Sequence, residues 1–115
     1  MEEIGVDETW AGNPIEDDAV ASPCGLIAKF RFTDWFELTS GGSQIEIDET
    51  GIAHSIDKSF KFKWADDSEN TQWLDPEDEH VMVWYQMESF NKFLKLWGKI
   101  DQKLTAGTYT LKITE

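Results

Sequence analysis

Five oxygen-bearing side chains spaced through one loop are the first hint of chemistry in this sequence. Asp66, Ser68, Asn70, Gln72 and Glu77 fall on the ligand positions of a calcium-binding loop count. Thr71 occupies the place where that loop turns sharply on glycine, and Pro76 precedes the last ligand. No amphipathic helix leads in, so the expectation is a solvated loop. Zinc would need three or four nitrogen or sulfur ligands, and Cys24 with His54 and His80 is a thin supply from separate regions. Asp34 with Glu37, or Asp75 with Glu77 and Glu79, could be cast as the carboxylate pair of a glycosidase. With 23 acidic residues, such spacing arises by chance and decides nothing. A glycine-rich phosphate loop, a nucleophile elbow and a Cys-x-x-Cys pair are all missing from the sequence. The chain is therefore expected to be no enzyme and to hold neither cofactor nor metal.

Aromatic side chains carry the stronger signal. There are six tryptophans and seven phenylalanines in 115 residues, enough for the core of one domain. Leu26, Phe30, Phe32, Phe62, Val81, Val83, Trp84, Phe93, Trp97, Tyr109 and Leu111 are the expected core, with Phe36 beside them. Trp10, Trp35 and Trp73 sit among polar neighbours and are the candidate partner contacts, since exposed aromatics with polar rims build interaction surfaces. The formal charge of −13 repels phosphate backbones and anionic lipid surfaces, which argues against a nucleic-acid partner. No apolar run approaches the roughly 20 residues of a membrane helix. The acidic start, MEEIGVDE, lacks the basic region of a signal peptide.

These side chains need elements to hold them. Residues 1–22 form an acidic, weakly ordered lead in which Trp10 and Ile15 could still dock. From Leu26 to Leu38 the pattern is extended, followed by a turn at Ser40-Gly41-Gly42-Ser43 and a short strand at Ile45 and Ile47. Phe60, Phe62 and Trp64 alternate with lysines, as in another strand. Val81 to Tyr85 is apolar on both sets of alternate residues, which suggests a covered central strand. Phe90, Phe93, Leu94 and Trp97 have the spacing of one helical face, with Gly98 at its C-terminal cap. Thr108 to Thr114 gives the last strand. The sum, over residues 23–115, is a mainly β domain, an antiparallel sandwich or open barrel with one short helix.

Four blocks, in order, carry a family likeness: PCGLIAKFRFTDWF from Pro23, GIAHSIDKSFKFKW from Gly51, EDEHVMVWYQMESFNKFLKLWGKI from Glu77, and LTAGTYTLKI from Leu104. Together they resemble the exoplasmic domain of the Cdc-fifty or ligand-effect-modulator family, the accessory beta subunits of lipid-flipping type IV P-type ATPases. The likeness implies a non-catalytic accessory module on the exoplasmic or lumenal side of secretory-pathway or plasma membranes. Its partner would be the ATPase catalytic subunit, and it would reach the membrane only through segments absent from this chain. In the family the cysteine of the PCG block lies where disulfides form, and Cys24 has no partner cysteine here. By residue type alone, Cys24 reads as a small buried residue and His80 as the hydrated end of a strand; in the family a bulky aromatic often follows GIA, so the likeness implies that His54 fills that packing slot. No Asn-x-Ser/Thr sequon occurs, although family members are commonly glycosylated. The alternative is a free-standing soluble binding module of the same fold, contacting a protein or glycan through its exposed aromatics.

Overall fold

The computed structural model describes residues 6–19, 21–66 and 68–115, with the backbone alone at positions 26 and 29. Ser40-Gly41-Gly42-Ser43 makes the expected hairpin. Gly41 and Gly42 have φ of 57° and 84°, the left-handed pair that a two-residue hairpin loop requires and that side chains resist. The loop joins β1 (Trp35–Ser40) to β2 (Ser43–Ile45), with Leu38 opposite Ile45. β3 (Thr110–Thr114) returns along the other edge of β1, antiparallel, with Trp35 opposite Thr114 and Leu38 opposite Leu111.

The three strands lie in the order β2-β1-β3 and the sheet is open. Paired residues share a face, so Phe36, Leu38, Ile45, Leu111 and Ile113 make one apolar side. The other side carries Glu37 and Lys112, which form an ion pair at 2.8 Å. Antiparallel β structure is present as expected, in the form of one open sheet flanked by short helices.

Five segments differ from their sequence expectation. Leu26 to Lys29 is a helical turn, α1. Gly25, at φ 89°, breaks the extension before it, and the strand starts only at Trp35. Residues 57–61 wind into a π-helical turn, Asp57–Lys61, fastened by a Lys61–Asp57 pair at 3.6 Å; the lysine alternation there marks solvent exposure, since Phe60 is exposed too. A second turn of helix, α2, spans Ser68–Thr71.

The fourth difference is the largest. Glu79–Tyr85 is a helix, α3, and holds the buried Val81, Met82 and Val83. Asp78 caps its start, Oδ1 accepting from the His80 backbone N–H at 2.9 Å, which satisfies one of the orphan donors of a helix N-terminus. Conversely, the helical spacing at Phe90–Trp97 forms no helix. Gly98 serves close approach instead of a cap: a Cβ there would lie 2.5 Å from Ile47 Cγ2, and the backbones of Asp48 and Lys99 pair beside it at 2.7 and 2.8 Å.

The buried apolar set is Ala28, Ile45, Ile52, Leu74, Val81, Met82 and Val83, with Met82 1% exposed. Val81 and Val83 meet their expectation. Phe30, Phe32, Phe93 and Leu111 are exposed instead, and Phe62, Trp84, Trp97 and Tyr109 are half-buried. The Leu26 side chain lies outside the described residues. In the lead, Thr9 is buried and its Oγ1 donates to Glu69 O at 2.9 Å. Asn13 Nδ2 donates to the same carbonyl at 3.0 Å, and the Trp10 indole to Ser68 O at 3.1 Å. Residues 9–13 are thereby docked on α2.

Candidate interaction site

β1 places Trp35 and Phe36 where α3 and the chain around residue 97 cross its N-terminal end. The three elements meet through rings. Trp97 stands edge-on to Phe36, centroids 4.8 Å apart, and edge-on to Trp35 at 5.3 Å. These are the favoured aromatic geometries, worth about 0.5–1.5 kcal/mol each beyond area burial. His80 of α3 closes the arc, 5.0 Å from Trp97 and 6.2 Å from Trp35. Its Nε2 lies 2.9 Å from Glu49 Oε2, which fixes the ring.

Phe36, Trp97 and His80 form one wall of a groove of about 670 Å³, completed by Phe32, Trp84, Phe93 and Arg31, while Trp35 lines a smaller cavity of about 90 Å³ beside it. A second groove of about 430 Å³ adjoins it across Phe30 and Trp84 and is lined by Ile27 and Met87. Lys95 shapes the larger groove from below. Its Nζ donates to three backbone oxygens at the end of α3: Val83 at 3.0 Å, Trp84 at 2.7 Å and Gln86 at 2.6 Å. One ammonium thus satisfies carbonyls that a helix C-terminus leaves without partners.

Glu79, on the same helix, anchors the neighbouring loop. Its carboxylate accepts from the backbone N–H groups of Gly51 at 3.1 Å and Ala53 at 2.9 Å, and pairs with Lys58. Burial alone would raise its pKa, but the Lys58 hydrogen bond and the two backbone donors outweigh it and hold the group down to about 2. Asp48 is also held below its usual range, chiefly by the side-chain hydrogen bond from Thr50. Both are structural clamps.

Of the candidate contacts, Trp35 is half exposed and lines the smaller cavity beside the groove. Trp10 and Trp73 lie together elsewhere, on the corner between the lead and α2. Trp10 packs on Trp64 at 4.5 Å, and the half-buried Trp73 donates from its indole to Pro23 O at 2.7 Å. Cys24 is free and exposed; its burial, expected from residue type, fails because it sits at the surface beside the Gly25 turn. His54 is exposed too and fills no packing slot: its Nδ1 accepts from Ile56 N at 3.2 Å. His80 sits in a helix, half-buried against tryptophans.

The supposed loop ligands diverge. Ser68 and Asn70 are wound into α2, Gln72 Oε1 accepts from Ala65 N at 2.8 Å, and Glu77 pairs with Lys63 at 3.6 Å. Among the described residues no group of three or more His, Cys, Asp or Glu is placed to hold a metal ion. The carboxylates singled out by spacing have separate occupations: Glu37 on Lys112, Asp75 on the Glu77 N–H at 2.7 Å, Glu79 in its clamp. Sequence reasoning missed Lys95, whose partners lie about ten residues back, and Arg31, for which the signal was available: it is the single arginine, set between two phenylalanines.

Comparison with known proteins gives one family. The family described as LEM3 (ligand-effect modulator 3) family / CDC50 family matches residues 2–115, including the lead before Pro23. The chain is 33% identical over 108 residues to ALA-interacting subunit 3 of Arabidopsis thaliana, covering 80% of this chain and 31% of that protein. It is 30% identical over 120 residues to Putative ALA-interacting subunit 4 of the same plant, covering 93% and 34%. It is 29% identical over 133 residues to Cell cycle control protein 50A of Bos taurus, covering 85% and 37%. The chain thus spans about a third of the length of the curated relatives it matches. No solved structure matches it.

Proposed function

Because the chain belongs to the LEM3/CDC50 family, we propose that it acts as a non-catalytic accessory segment of a phospholipid flippase: part of the exoplasmic domain of a beta subunit that binds a type IV P-type ATPase. The family match over residues 2–115 carries this reading. Two relatives are named as ALA-interacting subunits, which fits a role in assembly. In this reading the domain works by surface complementarity and carries out no chemistry. It lies on the exoplasmic or lumenal face, and membrane attachment comes from other parts of the protein, since no helix among the described residues is long and apolar enough to cross a membrane. The open sheet is one layer of the expected sandwich or open barrel, and its apolar side receives further polypeptide of the same domain. Trp35 beside the groove, with Trp10 and Trp73 on the lead corner, are the contact residues.

The test is co-expression of the family-length protein containing this chain with a type IV P-type ATPase of its own organism. The ATPase should co-purify with it and leave the endoplasmic reticulum only when it is present. An ATPase that traffics normally alone, and never co-purifies, would overturn the reading in favour of a free-standing binding module.

A further inference from the structure

We draw no further inference here: the strongest candidate, the aromatic groove between α3 and the N-terminal end of β1, is an unpartnered apolar face lined by the carboxylates of Asp34 and Glu115 as well as by Arg31 and Lys95, and nothing in the structure shows what covers it.

Discussion

Glu79 shows how one carboxylate ties a loop to a helix. Two backbone N–H groups and the Lys58 ammonium converge on it, and its pKa falls from an ordinary 4.5 to about 2. The folded state thus holds the proton less tightly than the unfolded chain does. The stabilisation is fully present above about pH 4.5 and is lost as pH falls through about 2. Lys58 is 45% exposed, so solvent screens the pair, and about 1–2 kcal/mol remains of the larger value that the shift alone would imply. Urea melts at several pH values should show the parent losing that amount between pH 4.5 and 2 relative to Glu79→Gln. A parallel pH dependence in the two proteins would show that the carboxylate is not the clamp described.

At the scale of elements, α3 is held at both ends by side chains. Asp78 sits at the positive end of the helix and Lys95 at the negative end, each where the helix dipole favours its charge. Asp78→Ala should cost about 1 kcal/mol. Lys95→Met, which keeps the side chain's length and removes the donors, should cost about 1–3 kcal/mol because three carbonyls lose their partner. Denaturant melts check both, and near-parental stability of Lys95→Met would mean that water replaces the ammonium at no cost. The same helix shows where sequence reasoning stops. The run VMVWY is too short for periodicity to separate a buried strand from a buried helix, and the deciding signal was the capping Asp78 just before it. At 90–97 the spacing was helical and Ser89 even offers a cap, but Lys95 is drawn back to α3. The hairpin at Gly41-Gly42 and the strand at Thr110–Thr114 were legible because turn residues and alternation act locally. Beside the groove, Trp35 was legible as an aromatic among polar neighbours. Its meeting with His80 and Trp97 depends on the chain crossing itself, which no local pattern encodes.

For the whole molecule, surface area is the telling quantity. A monomer of 13.2 kDa ordinarily exposes about 6,400 Å², whereas this chain exposes 9008 Å². Its radius of gyration is 17.3 Å, against about 13 Å for a close-packed domain of this length. The excess surface is about three times what one partner contributes to a standard interface. It includes Phe30, Met87, Phe90 and Leu94, the last 99% exposed. Such a chain buries too little apolar area to be strongly stable alone, and it presents apolar surface that a longer domain or a partner would cover. The urea m-value tracks the area exposed on unfolding. For the isolated chain it should fall about a fifth below that of an ordinary 115-residue domain, and the native protein should bind an apolar-surface dye. Within the family-length protein the dye signal per molecule should drop, and amides of β3, now an exposed edge strand, should gain protection from exchange. A full-sized m-value with no dye binding, independent of protein concentration, would mean that this chain closes its own core and needs no cover. A full-sized value that appears only as concentration rises would mean that copies of the chain cover one another. Either result would place the surface that serves a partner elsewhere than on the aromatic face beside β1.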